Sequence, residues 1–209
     1  MNCSEVVVID FETTGLSADC DRVIEVGAVL VRDGQVVDEF SALMDPGFGL
    51  PYEITSITGI TDEMLEGKPS PEELMPALHD FVQGKILVAH NASFDKRFLL
   101  AEMERAGIKM CPEVLCTMLL ARRLVTLHNH KLGTLASHLG CNIENAHRAL
   151  DDARFTAILW NHLLEVVKQK SDLDSVDLPL LQGLSKKPKA AVKKYLKTLK
   201  KKQALVTAK

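Results

Sequence analysis

The sequence predicts a single α/β domain built on a mixed five-stranded sheet with helices on both faces. Three strand-like segments come first and are joined by short turns, which is typical of antiparallel strands. Helical segments then alternate with short apolar strands, the pattern of a parallel arrangement. The chain has 209 residues, of which 46% are hydrophobic and 25% charged, enough for one core of ordinary size.

The strands are predicted from short apolar runs rich in β-branched residues. The first covers residues 6–10 and is followed by a turn at Gly15, and the second covers 22–31. The dipeptide Asp33-Gly34 then favours a hairpin that returns the chain through a third strand at 35–44. Two brief strands follow at 86–89 and 114–116.

The helices are predicted from apolar residues that recur every three or four positions. A short helix can begin at Thr61, and a longer one is predicted at 71–83 with acidic residues in its first turn. Further helices are predicted at 93–106, 119–124, 131–139 and 149–167. The folded domain is therefore expected to span residues 1–170.

Charge divides the chain beyond that boundary. Residues 171–183 contain Pro179 and are predicted to form a linker, and residues 184–209 hold ten lysines and no acid. The remaining 183 residues hold 15 basic and 28 acidic side chains. The basic tail is either an amphipathic helix or a solvated, disordered segment. It can tether nucleic acid or dock on a partner protein through its apolar positions.

The composition argues against a membrane or secreted protein. There is no run of about 18 apolar residues and no basic, signal-like N-terminus. The five cysteines are odd in number and lack the spacing of metal ligands, which favours reduced thiols in a cytoplasm. We expect a cytoplasmic protein with no membrane partner.

Two groups of acids lie where strands are predicted to end. Asp10 and Glu12 are two residues apart, so their side chains point to the same face of the first strand. Two neighbouring carboxylates repel each other unless a cation binds between them. Asp95 follows the fourth strand in the segment 90–95 and lies in the first turn of a helix, where it also suits the helix dipole.

A third segment adds a histidine and another acid. His147 precedes the predicted long helix, and Asp152 lies within its first two turns. A histidine next to a metal-bound water can act as a base because imidazole titrates near neutral pH. Asp151 would point about 100° away from Asp152, and we expect it to be a surface or helix-start acid.

These three segments resemble the motifs of the DEDD exonuclease superfamily in its histidine-containing branch. The matching segments are 10–16, 90–95 and 147–152, and the resemblance covers residues 5–167. It is strongest to the epsilon-type proofreading exonucleases of bacterial replicative polymerases and their free-standing relatives. Residues 57–63 also resemble a segment of those proteins. The resemblance implies a ribonuclease-H-like fold.

The resemblance also implies an activity and a set of site residues. The implied reaction is 3′-to-5′ removal of nucleoside monophosphates from single-stranded DNA, with two Mg²⁺ or Mn²⁺ ions. The implied metal ligands are Asp10, Glu12, Asp95 and Asp152, with His147 as the general base. The implied contacts to the terminal nucleotide come from Thr13, Leu16, Ile57, Asn91 and Phe94. Two alternatives stay open, namely RNA ends as the substrate, and a subunit whose main task is docking on a polymerase or nucleic acid.

Overall fold

The structure, a computed structural model, describes residue 3 and residues 5–141, 147–173 and 175–207, with side chains up to residue 199. Its centre is a five-stranded sheet in the order β3-β2-β1-β4-β5. The strands are β1 (Glu5–Thr13), β2 (Val23–Arg32), β3 (Gln35–Leu43), β4 (Ile86–Ala89) and β5 (Val114–Cys116). β2 is antiparallel to β1 and β3, whereas β4 is parallel to β1 and β5. The predicted mixed sheet is confirmed.

Helices cover both faces of this sheet. They are α1 (Tyr52–Thr58), α2 (Asp62–Leu65), α3 (Pro71–Val82), α4 (Ser93–Arg105), α5 (Thr117–Leu124), α6 (Leu132–His138), α7 (Ala149–Ser171), α8 (Leu178–Lys186) and α9 (Val192–Thr207). A 3₁₀ turn, Lys189–Ala191, precedes α9. Helix α1 has no counterpart among the sequence predictions.

The alternation of β1 sends its side chains into two separate cores. Val6 and Val8 belong to the core formed with α5–α9, including the buried Trp160 of α7. Val7 and Ile9 belong to the core formed with α3 and α4. Even-numbered residues of β1 therefore face α7, and Asp10 and Glu12 continue that face beyond the apolar core.

The first strand extends three residues beyond its predicted end. Pairing with β2 continues past Asp10, with Glu12 opposite Glu25, and ends after a register shift at Thr13. The apolar run stops at Asp10, but backbone hydrogen bonds to β2 do not depend on apolar side chains. Both predicted ligands of β1 are therefore held by the sheet itself and not by a loop.

The C-terminal region is helical: α8 lies partly in the segment predicted as a linker, and α9 lies in the tail, for which an amphipathic helix was one of two alternatives. Helix α8 begins at Asp177, whose side chain accepts a hydrogen bond from the N–H of Leu180, and Leu181 and Leu184 are fully buried. Helix α9 covers α8 so closely that a Cβ on Gly183 would clash with the ring of Tyr195. Leucines three apart form a buried helical stripe, so this segment packs on the core. Residues 208–209 and the side chains from 200 onward lie outside the described residues.

A buried ion network fixes the start of β2 against α4. Glu102 is fully buried and accepts hydrogen bonds from the Arg22 guanidinium and from the backbone N–H of Val23. Arg105 pairs with the same carboxylate at 3.1 Å. This carboxylate therefore has two cationic partners within the chain.

No helix in the described ranges combines the length and the apolar character needed to cross a membrane.

Candidate active site

The first part of the site is the end of β1. Asp10 lies opposite Gly27 of β2, and Glu12 lies opposite Glu25. Both acids are on the face of the sheet that α7 covers, as the alternation of β1 requires. The two predicted ligands of β1 therefore point toward the segment that carries the third motif.

Gly27 allows that segment to approach. A Cβ placed on Gly27 would lie 2.2 Å from the backbone carbon of Ala149 and the backbone nitrogen of Leu150. Any larger residue would push the first turn of α7 away from β1 and β2. The absence of a side chain at position 27 thus sets the distance between the acids of the sheet and those of the helix.

The first turn of α7 supplies the second part of the site. His147 lies two residues before the helix in a left-handed conformation (φ 67°), and its side chain is exposed. Its backbone N–H donates to Oδ2 of Asp152 at 3.3 Å. One ligand atom each of Glu12, His147 and Asp152 lies within 4.8 Å of the others, close enough to share a metal ion.

Asp95 completes the carboxylate set from α4. It is 3% exposed and lies in the first helical turn after β4, the parallel neighbour of β1. Burial raises the pKa of Asp95 to about 7, although its own backbone N–H and that of Phe11 lower the pKa of its carboxyl group.

The other three acids are perturbed in the same direction. Burial and the charges of Asp95, Asp152 and Glu12 raise the pKa of Asp10 well above its usual value. Burial and the charges of Asp152, Glu25 and Asp95 raise the pKa of Glu12 to about 8. Burial also raises the pKa of Asp152. Four carboxylates in one place therefore repel each other, and a bound cation would relieve that repulsion.

The chemistry of these donors fits hard divalent cations. The set consists of carboxylate oxygens with one imidazole, and no described cysteine is among the clustered donors. None of the ion pairs formed by described residues involves Asp10, Glu12, Asp95 or Asp152. Within the described part of the chain, this negative charge therefore has no basic partner in an ion pair.

Glu25 and Arg148 are parts of the site that the sequence motifs did not indicate. The buried Glu25 carboxylate accepts hydrogen bonds from the Arg148 guanidinium and from the N–H of Ala149. This bridge ties β2 to the first turn of α7, between the two groups of ligands. The pairing of an acid with an arginine 123 positions away carries no local sequence signal.

Asp151 lies outside the cluster, as predicted. Its carboxylate pairs with Arg154 at 3.2 Å, and Arg154 also binds Glu39 of β3. The two adjacent acids of α7 therefore have different surroundings, because Asp152 faces the acids of the sheet and Asp151 faces the protein surface.

The residues predicted to contact the nucleotide differ in exposure. Leu16 is 79% and Ile57 55% exposed, and Asn91 is also exposed. Phe94 is half-buried against Phe98, with ring centroids 4.8 Å apart. Thr13 is buried and its hydroxyl donates to the carbonyl of Gly15, so its side chain orders the turn after β1.

His90 holds the segment between β4 and α4 in place. Its ring nitrogens lie 2.9 Å from the Thr117 hydroxyl and 2.9 Å from the carbonyl of His130. Burial lowers the pKa of His90 to about 4, so the ring is neutral near pH 7. The next residue, Asn91, takes a left-handed conformation (φ 67°) that leads into α4 and Asp95.

Comparisons with known proteins place this geometry in a defined group. A family model for the RNase T group, described as exonuclease, matches residues 7–160. The DNA polymerase III PolC-type proteins of Clostridium perfringens and Thermotoga petrophila are both 42% identical, over 82% and 78% of this chain. In each case the chain spans only 12% of the polymerase.

Solved structures with the same architecture include several nucleases. Exonuclease X in complex with 5′-overhanging duplex DNA is 29% identical with a TM-score of 0.67, covering 86% of this chain and 99% of that one. E. coli exonuclease I in complex with a dT13 oligonucleotide is 17% identical with a TM-score of 0.71, covering 81% of this chain and 43% of that one. The nuclease domain of 3′hExo bound to rAMP is 19% identical with a TM-score of 0.66, covering 78% and 92%.

Proposed function

Since the chain belongs to the exonuclease family of the DEDD superfamily, with its ribonuclease-H-like fold, we propose that it removes nucleoside 5′-monophosphates from the 3′ ends of single-stranded DNA. One observation carries the proposal. Four carboxylates and one histidine from three distant segments meet at one end of the sheet, where no described basic residue pairs directly with the acids.

The family depends on divalent metal, and we assign Mg²⁺ or Mn²⁺ to this site. Asp10, Glu12, Asp95 and Asp152 would hold the ions, because these interacting acids offer the carboxylate oxygens that such cations prefer. When bound, such ions acidify water and stabilise the charge that develops on the scissile phosphate.

His147 is proposed as the general base. Its side chain is exposed on a turn, and its backbone is held by the hydrogen bond to Asp152, so the ring can reach a water beside the acids. It would take the proton of the attacking water while the bond between phosphorus and the 3′ oxygen of the preceding nucleotide breaks. The product then carries a 5′-phosphate.

The apolar residues that the family resemblance indicates would receive the terminal nucleotide. Leu16 and Ile57 offer apolar surface without hydrogen-bonding groups, and Phe94 offers a ring edge, so contact with the base would depend little on sequence. Asn91 offers an exposed amide from the loop after β4. Thr13 would contribute through its backbone, since its hydroxyl is bonded to Gly15.

DNA is favoured over RNA because the relatives with 42% identity are DNA polymerases. A role in proofreading follows from the same likeness and belongs to this proposal.

The experiment uses DNA and RNA strands of one sequence, labelled at the 5′ end and incubated with Mg²⁺ or Mn²⁺. We expect a ladder that shortens from the 3′ end on DNA, and faster loss of RNA would reassign the substrate.

Matched variants test the site itself. His147→Ala and Asp152→Asn should abolish the ladder, as should a chelator, because each removes a different part of the same chemistry. Asp151→Asn is the control, since it changes the adjacent acid, which lies outside the cluster. Equal loss of activity in Asp151→Asn and Asp152→Asn would contradict the assignment, and so would cleavage that survives the chelator.

A further inference from the structure

The last helix presents a row of lysines to solvent. Lys193, Lys194 and Lys197 of α9 are exposed and, with Ala190 and Thr198, line a shallow surface depression. Residues 184–209 contain no acid that could neutralise them within the segment. Like charges four residues apart weaken an isolated helix, so this face is maintained by packing elsewhere in α9.

The opposite face of α9 is already occupied by the protein's own core. Val192 is 6% and Leu196 1% exposed, and Leu199 packs against the same cluster. The Tyr195 hydroxyl donates to the carbonyl of Leu180 in α8. The apolar positions of α9 up to Leu199 are therefore already covered, and in this described part of the helix the lysine face is what is offered to a partner.

The neighbouring lysines have internal partners, whereas the row on α9 does not. Lys189 donates to the Val125 carbonyl and the Thr126 hydroxyl, and Lys187 lies over the Tyr195 ring. No ion pair among the residues with described side chains includes the three lysines of the row. Their charge is available to an anionic ligand.

A short chain of contacts connects this region to the candidate active site. Lys189, the first residue of the 3₁₀ turn before α9, donates to the carbonyl of Val125. The His130 ring lies 3.3 Å from that carbonyl. The carbonyl of His130 lies 2.9 Å from the His90 ring, next to Asn91. The segment that carries α9 is thus fixed to the loop that is expected to meet the substrate.

We propose that Lys193, Lys194 and Lys197 form a phosphate-binding surface for the part of the nucleic acid strand that lies outside the active site. This inference rests on the proposed function. The rest of the chain carries an excess of acid, with 28 acidic and 15 basic residues before position 184, and repels a polyanion. A lysine row without base-contacting groups would bind the backbone without sequence preference.

The test measures binding in a chelator, where no cleavage can occur. A fluorescent single-stranded DNA of about 20 nucleotides is titrated with the full chain at several salt concentrations between 50 and 200 mM. K193Q/K194Q/K197Q should bind more weakly at low salt, and its slope of log affinity against log salt should be shallower by about two, at about 0.7 per lost phosphate contact. K68Q/K109Q/K170Q is the matched control, because it removes the same charge from three other exposed positions.

Turnover separates this inference from the proposed function. With metal, the α9 variant should show a raised KM on the long strand and unchanged kinetics on a dinucleotide, with circular dichroism showing that it is folded. The inference would be overturned, even with normal cleavage, if the α9 variant kept the wild-type salt dependence of DNA binding and the wild-type KM. It would also be overturned if the control variant changed both quantities equally. Lysine-dependent DNA binding without any cleavage would instead contradict only the proposed function. Lysine-dependent binding to phosphatidylserine vesicles, with DNA binding unaffected, would assign the surface to membranes and overturn the inference.

Discussion

Two buried acids on α4 have opposite surroundings, although they are only seven positions apart. Glu102 is fully buried and is neutralised by Arg22 and Arg105. Asp95 is 3% exposed, and backbone N–H groups lie near its carboxylate. The neighbouring carboxylates make its surroundings more negative. Separating a buried charge from its cationic partners is strongly destabilising, whereas a buried charge without such partners is suited to a cation from outside.

The largest expected effect is the loss of activity in Asp95→Asn. Removal of one of the four carboxylates that we propose to bind metal should cost several kcal/mol of transition-state stabilisation, which lowers kcat/KM about a thousandfold. The same change should raise the free energy of unfolding in a chelator by on the order of 1 kcal/mol, because it removes a carboxylate with a raised pKa. Single-turnover kinetics and urea unfolding measure the two effects. A destabilised Asp95→Asn protein in the chelator would contradict the contrast with Glu102.

Glu102→Gln should lower the stability of the protein and leave its activity nearly unchanged. It removes the carboxylate that Arg22 and Arg105 share. Breaking a buried pair costs about 3–5 kcal/mol, and the loss should lie at the low end of this range because Arg22 keeps its ion pair with Glu72. Urea unfolding should show this loss, and kcat measured well below the melting temperature should stay within a fewfold of wild type. A catalytic defect as large as that of Asp95→Asn would show that the two acids are not functionally distinct.

Gly27→Ala tests whether the distance between the sheet and α7 matters. The new Cβ would overlap the backbone of Ala149 and Leu150, which should cost about 1–3 kcal/mol of stability and more than tenfold in kcat. Gly133→Ala is the control, because a Cβ there meets no atom within 4 Å and α6 should gain slightly. Wild-type kcat in a folded Gly27→Ala protein would mean that the approach of α7 is not limiting.

The smallest effect is the pH dependence of stability in a chelator. The pKa values of Glu12 and Asp95 are raised to about 8 and about 7, so the native state holds these protons more tightly than the unfolded state. Their contribution to stability is present below about pH 4 and is lost as the pH rises toward 8, by on the order of 1–2 kcal/mol. As the pH rises, the melting temperature of Asp95→Asn should fall less than that of the wild type. Glu104→Gln changes an exposed acid of α4, and its melting temperature should fall as much as that of the wild type. Saturating Mn²⁺ at pH 8 should restore the stability that is lost in the chelator.

The sheet could be predicted from sequence because each strand carries its own local signal. Apolar runs and the Asp33-Gly34 turn indicate β1 to β3 without knowledge of the rest of the chain. The ligand set could be predicted only partly from spacing. Asp10 and Glu12 share a face by alternation, whereas the likeness to a family was needed to link them with Asp95 and Asp152.

What could not be predicted depends on contacts between distant residues. The Glu25–Arg148 bridge and the approach of α7 to Gly27 join segments more than 120 positions apart, and neither leaves a local pattern. A helix in the basic tail, where α9 lies, was one of two predicted alternatives, but α8 was missed for a related reason. The acidic residues and Pro179 suggest a linker, but Pro179 lies in the first turn of α8, a position that a helix tolerates.

The packing of α8 and α9 also has a consequence for how the protein is made. Val6 and Val8 of the first strand share one core with Leu181, Leu184 and Leu196. A chain emerging from the ribosome presents that face of the sheet long before the helices that cover it have been synthesised. The catalytic motifs are complete by Asp152, but the core beneath them is complete only after about 45 further residues have been added. Stable folding, and with it nuclease activity, should therefore begin only when synthesis of residues 178–199 has finished.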